Sequence, residues 1–436
     1  MHRTSARGAR RATALLALTL TAGLTVASVP GVTALAAETS AAGSKAAAGK
    51  KTPTPFSFSA RAYGSRLKGG QVPVKSDSTA YQSLGCTNLA GINKRNFTAH
   101  SDVEGVALAR GIRTRTWTTV KDGVTSSNAM NQIANVQASQ PDLGRLKITR
   151  LRTVSKAYHD KTGFHATTEV TVGDITYRGS DGTSQDLDPP ELNQPVEIPG
   201  VLKISIGDAT HRSSATGASA AADGLTVRFI PTNTTVILAH SGARIGTGVK
   251  QGLFFGRAVG TETRADDPLL RAGAQPLLKM PCLGTGGEIH RKSTAAAGDD
   301  ASLGTYDVTT RQSGSSTTTS ATGFEEAAVS TVSIGGGQIE LTGIVGRVNV
   351  TRTKTGLQRD IQGTTIGGVK VGDQTLALPD LDGFTIPGLV RIDTNITTEL
   401  KDGIEVVAVR LTFLDGSNRV TDLGHARLQI VGTGLK

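Results

Sequence analysis

Three sets of residues in this 436-residue chain have the types and spacing to do chemistry. Ser65-Arg66-Leu67-Lys68 followed by Lys161-Thr162-Gly163 has the S-x-x-K and K-T-G elements that make an acyl-enzyme when the serine opens a helix and the second lysine lies on a strand. Here Gly64, Gly69 and Gly70 flank the serine element and argue against a helix, and no Ser-Asp-Asn element accompanies it. Lys-Thr-Gly also recurs as Lys354-Thr355-Gly356 with no second serine element, so a hairpin turn accounts for both occurrences. Tyr158-His159-Asp160 with His165 offers imidazole and carboxylate across the same hairpin, short of a four-ligand set. Asp186-Leu187-Asp188 and Asp380-Leu381-Asp382 each place two carboxylates two residues apart, on one side of an extended segment. Asp186, Asp188, Asp380 and Asp382 are the candidate ligands for calcium, against the alternative of a solvated acidic loop. His240 and His425, close to Arg244 and Arg427, are expected to point outward from a terminal strand.

The elements that must position these residues come in two copies. Phe58 to Gly64 returns as Phe254 to Gly260, and Cys86 as Cys282, both 196 residues on. Gly144 to Gly163 aligns on Gly337 to Gly356, Glu197 to Ile204 on Thr385 to Ile392, and Ala243-Arg244-Ile245 on Ala426-Arg427-Leu428. Copy one is expected over residues 56–250 and copy two over residues 251–436. The two cysteines are the only ones in the chain, and at equivalent positions they can pair only near a pseudo-twofold axis. A Cys86–Cys282 bond and two separate thiols are the alternatives.

The hydrophobic period is two. Leu146 and Ile148, Leu202, Ile204 and Ile206, and Ile404 and Val406 alternate with polar neighbours, and Asp-Gly pairs such as Asp122-Gly123 and Asp402-Gly403 punctuate them. The fold class expected is all-β: two tandem homologous β-sandwich-like domains packed together, since the glycine-rich join from Gly246 to Gly252 is short. Ala129 to Val136 and Glu325 to Val332 are the segments where a short helix is expected in each copy.

Residues 1–36 read as a secretory leader, with Arg3, Arg7, Arg10 and Arg11 before an apolar run and small residues at Ala34-Leu35-Ala36. Arg10-Arg11 hints at a twin-arginine route without the bulky residues that route favours. Residues 37–55 read as a disordered linker rich in Ala, Lys and Pro. Loss of the leader removes four arginines and no acid, lowering the net charge from +11 to +7. Anionic cell-wall polymers are the partners this charge suits. Aromatic residues are 4% of the chain, which argues against nucleic-acid stacking platforms and an aromatic-lined sugar face.

Ala62-Tyr63-Gly64, Leu84 to Thr87, Pro281 to Thr285, Gly163-Phe164-His165, the Ile-Pro-Gly segments and Gly424 to Arg427 together resemble the choice-of-anchor P family of exported actinobacterial surface proteins. The resemblance covers nearly all of the chain beyond Phe56. It implies export and a surface role, and brings no catalytic residue, cofactor or ligand. The chain departs from it at Gly434-Leu435-Lys436, which carries no recognisable anchor. The expectation is therefore a noncatalytic structural or adhesive module of the cell envelope, secreted or wall-associated. A wall- or glycan-binding protein and a wall-polymer hydrolase are the alternatives.

Overall fold

The computed structural model describes residues 50–69, 75–76, 79–103, 107–140, 144–191, 194–264, 270–296, 303–376, 382–416 and 419–435. The leader region lies outside the described residues, as does most of the expected linker.

Copy one contributes β1 (Thr52–Gly69), β2 (Lys75–Ser76), β3 (Gln82–Ala90), β4 (Asn93–Val103), β5 (Ala107–Lys121), β6 (Val124–Gln140), β7 (Gly144–Asp160) and β8 (Gly163–Thr171). It continues with β9 (Ile175–Arg178), β10 (Ser184–Leu187), β11 (Val196–Ile198), β12 (Leu202–Ile206), β13 (Ala209–Ser214), β14 (Gly217–Phe229) and β15 (Thr234–Thr247). Copy two contributes β16 (Gly252–Arg264), β17 (Leu270–Lys279), β18 (His290–Ala296), β19 (Leu303–Ser316), β20 (Ser320–Ile334), β21 (Ile339–Thr353) and β22 (Leu357–Asp360). Its last strands are β23 (Gly368–Val371), β24 (Gln374–Leu376), β25 (Phe384–Ile386), β26 (Val390–Leu400), β27 (Gly403–Phe413) and β28 (Val420–Gly432).

Each copy is two antiparallel sheets. In copy one the order β11-β12-β14-β15-β1-β3 packs on β10-β9-β7-β6-β5-β4. In copy two β17-β16-β28-β27-β26-β25 packs on β18-β19-β20-β21-β23-β24. The period-two pattern explains the layers: Leu146, Ile148, Leu202, Ile204 and Val227 all face inward and are buried.

The expected helices are absent. Ala129 to Val136 lies within β6, and Glu325 to Val332 within β20, each hydrogen-bonded to a strand on either side. The helix formers Ala and Gln set a local preference, and two flanking ladders outweigh it. The linker also ends sooner than expected. β1 starts at Thr52, and the buried Thr54 hydroxyl donates to the Asn88 carbonyl at 2.9 Å. Prolines at the start of an edge-like strand cost no ladder bond, so Pro53 and Pro55 are tolerated there.

Left-handed residues kink the long strands at matching places. Gly111 (φ 63°) corresponds to Asp307 (φ 50°), Arg150 (φ 52°) to Gly343 (φ 60°), and Ala239 (φ 55°) to Gly424 (φ 62°). The ladder skips a pair at each of these positions. The bends divide each core into two clusters, around Ile148 and around Phe58 in copy one, and around Leu341 and around Phe254 in copy two.

The copies meet on a pseudo-twofold axis marked twice. Cys86 and Cys282 form a disulfide with Cα atoms 5.3 Å apart. β2 of copy one extends the edge of copy two's sheet, pairing Lys75 with Arg271, again residues 196 apart in the repeat. Across this seam Asn88 Nδ2 donates to the Thr433 carbonyl at 2.8 Å. Residues 47–436 form one compact unit.

Candidate functional site

The serine–lysine motif is not assembled. Ser65 sits in the middle of β1, buried, with Oγ 2.8 Å from Thr79 Oγ1. Lys161-Thr162 is the turn between β7 and β8, with Gly163 opening β8, and Lys354-Thr355-Gly356 is the turn between β21 and β22. The histidines near the first turn are structural. His165 Nε2 lies 2.7 Å from Thr162 Oγ1 and 3.3 Å from Asp160, whose carboxylate accepts from the Thr162 amide at 2.7 Å. His159 packs between Phe56 and Phe164 at ring distances of 4.9 and 4.6 Å.

The calcium candidates are not brought together among the described residues. Asp186 is an exposed β10 residue accepting from Thr176 Oγ1 at 3.1 Å, and Asp188 is exposed after the strand. Asp382 accepts from the Thr394 amide at 2.8 Å, and Asp380 lies outside the described residues. No group of three or more His, Cys, Asp or Glu side chains among the described residues could hold a metal.

His240 and His425 differ from expectation, being 7% and 1% exposed. The strand register also makes them equivalent: His240 faces Tyr63 and His425 faces Val259, which are themselves equivalent. The Ala243/Ala426 alignment is therefore out by two residues. A slip of two keeps every side chain on its own face, so alternation alone cannot detect it. His240 Nδ1 binds Asp223 at 2.6 Å, and its ring stacks on Tyr63 at 4.5 Å. His425 Nε2 binds Glu405 at 2.6 Å, while Nδ1 lies 3.5 Å from Glu262. Burial pushes the His425 imidazole down, but hydrogen bonds to Glu262 and Glu405 more than offset it, so it titrates above its ordinary value. Burial pushes Glu262 up; His425 and Arg257 outweigh that and bring it to about 2.

This network carries a pH prediction. Glu262 is depressed from 4.5 to about 2, so its stabilisation is complete above pH 4.5 and lost as pH falls through 2. That loss is on the order of 3 kcal/mol. The raised His425 contributes fully below its ordinary value and less as pH rises through its folded one. Urea unfolding from pH 5 to pH 2 should show the acid loss in the wild type and a flatter profile in Glu262→Gln. Equal slopes in the two proteins would remove Glu262 as the cause.

The surface best equipped for binding is the outer face of the β4–β8 sheet in copy one. Alternation along β5 buries Ile112, Thr114, Thr116 and Thr118 and turns Arg113, Arg115 and Trp117 outward. The register then sets Phe97 beside Arg113, Arg95 beside Arg115 and Asn93 beside Trp117. Cation and ring meet three times: Arg113 over Phe97 at 5.9 Å, Arg115 over Trp117 at 4.4 Å, and Lys156 over Tyr158 at 4.5 Å. Phe97 is 59% exposed. Arg115 is held by a 3.0 Å bond from Nε to Asn93. Loss of solvent and then repulsion from Arg95 lower the Arg115 pKa. Composition had argued against such a surface. An average over 436 residues hides three aromatic side chains, the single tryptophan among them, that the register gathers on one face.

A second basic cluster lies at the seam. Arg61, Arg66 and Arg257 all act on Lys279, which faces Arg257 three residues before Cys282. No family model matches the chain, and no curated protein matches it.

Proposed function

We propose that this chain is an exported, noncatalytic adhesive module of the bacterial cell envelope, resembling the choice-of-anchor P family. The observation that carries the reading is the Cys86–Cys282 disulfide, which joins the two copies at equivalent positions. A bond of this kind persists in an oxidising compartment, which suits a surface location. No helix among the described residues is long and apolar enough to cross a membrane. The placements of Ser65, His159 and His165 in local hydrogen bonds and ring contacts favour adhesion over wall hydrolysis.

Fractionation of producing cells under thiol-blocking conditions tests this. The oxidised chain is expected in the wall fraction or the medium. Reduced chain confined to the cytosol would overturn the reading. Release of soluble fragments from purified wall by the chain would replace adhesion with hydrolysis.

A further inference from the structure

We propose that the outer face of copy one's β4–β8 sheet binds an anionic polysaccharide, with Arg113, Arg115 and Lys156 holding its acidic groups and Phe97, Trp117 and Tyr158 lying against its sugar rings. The inference deepens the adhesive reading and rests on it.

The first support is the comparison between copies. The inward-facing residues of the equivalent β18–β22 sheet keep their character, as Ile133 and Leu151 become Val329 and Ile344. The outward ones do not. Phe97, Trp117 and Tyr158 are replaced by Ser293, Ser313 and Thr351, and Arg113 and Lys156 by Thr309 and Asn349. Arg115 keeps its charge as Arg311, but there Glu326 accepts from Arg311 Nε at 2.7 Å and from Arg347 at 2.9 Å. Copy one has Met130 and Val154 at those two positions, facing Arg115 and each other across the strands. The same scaffold thus neutralises itself in copy two and leaves its charge free in copy one.

The second support is charge. Arg95 stands directly opposite Arg115. Like charges in such a pair are destabilising, and a bound anion relieves them. Arg152 is occupied by Glu169 at 3.1 Å. Arg95, Arg113, Arg115 and Lys156 have no carboxylate partner on this face among the described residues.

The third is ligand chemistry. A guanidinium meets a carboxylate or sulfate with two parallel hydrogen bonds, and a flat exposed ring suits the C–H face of a sugar. Arg113, Arg115 and Trp117 follow one another at about 7 Å along β5, so cations and a ring share one row. Single-stranded nucleic acid shares part of this chemistry. The disulfide suits an oxidising compartment outside the cytosol, which favours a polysaccharide over nucleic acid as the occupant.

The test is binding of the full chain to immobilised dextran sulfate, with neutral dextran and a single-stranded oligothymidylate as parallel surfaces. The wild type should bind dextran sulfate at about 50 mM salt, lose it at about 500 mM, and pass over neutral dextran. Arg113→Thr/Lys156→Asn and Phe97→Ser/Trp117→Ser install copy two's residues at outward-facing positions, of which Arg113 and Phe97 are exposed and Lys156 and Trp117 half-buried. Each should weaken binding by about tenfold while leaving the urea midpoint unchanged. Lys401→Ala, on an exposed turn of copy two, should bind like the wild type. Wild-type affinity in both double variants would overturn the assignment, as would loss of binding in Arg61→Ala alone, which would move the contact to the seam. Tighter binding to the oligonucleotide would overturn the polysaccharide. These outcomes leave the adhesive reading standing, because that reading fails on fractionation.

Discussion

Replacing both cysteines, Cys86→Ser with Cys282→Ser, should cost the protein about 5 kcal/mol of unfolding free energy, the largest single effect expected of any change in the chain. The reason lies mainly in the unfolded state. The bond closes a loop spanning 196 residues of sequence, and the entropy of an open chain grows with the logarithm of that length. Denaturant unfolding of the oxidised wild type against the double variant measures it. The variant should also lose coincidence between probes in the two copies, because the seam then depends on the Lys75–Arg271 strand pair and bonds such as Asn88 to Thr433. A loss below about 1 kcal/mol would mean that the reduced, unfolded chain keeps the two copies together without the bond.

The second large effect concerns Glu325. Its side chain is fully buried in β20, and neither carboxylate oxygen has a hydrogen-bond partner. Burial alone raises its pKa well above the ordinary value, so the carboxyl is held as the neutral acid. The sign follows directly. Below pH 4.5 both folded and unfolded forms are protonated and there is no proton-linked cost. Above it the unfolded chain ionises first, and stability falls by about 1.4 kcal/mol per pH unit until the folded group ionises too.

Copy one shows how the site looks without the acid. Ala129 occupies the position of Glu325, and Ala60 the position of Gly256. A methyl group added at Gly256 would lie 2.5 Å from Glu325 Oε1, 2.9 Å from Leu428 Cδ1 and 3.0 Å from the Arg427 carbonyl, so glycine there makes room for the carboxyl and for Leu428. Gly256→Ala alone should therefore destabilise by about 1–3 kcal/mol. Gly256→Ala with Glu325→Ala removes the carboxyl contact but keeps Leu428, where copy one has Ala243, so it should recover about 1–3 kcal/mol relative to Gly256→Ala alone at neutral pH. Glu325→Gln should flatten the alkaline slope. A double variant less stable than Gly256→Ala would show that the acid stabilises the core, contrary to this account. Together with Glu262, which gives out on the acid side, the two glutamates predict a stability maximum on the mildly acidic side.

Much of this architecture was legible in the residues. Alternation at Leu146 and Ile148 or Leu202 and Ile204 reported strands because a half-buried strand has no other way to hide one face. The matched spacing of Cys86 and Cys282 reported the axis because equivalent points can meet only near a dyad. The helices expected at Ala129 and Glu325 were misjudged because intrinsic preference is weaker than two flanking ladders. The burial of His240 and His425 was missed because alternation gives a side chain its face, not what covers that face.

The candidate site divides the same way. Sequence alone determined the duplication, the strand period, the turns at Lys161-Thr162-Gly163 and Lys354-Thr355-Gly356, and the net positive charge, since each depends on neighbours within a few residues or on counting. Tertiary structure alone decided which residues share a surface. Phe97, Arg113 and Lys156 lie on three separate strands, β4, β5 and β7, and only the hydrogen-bond register sets them on one face. Register is a long-range property, fixed by which apolar rows find each other across the core, and a sequence read locally holds no record of it.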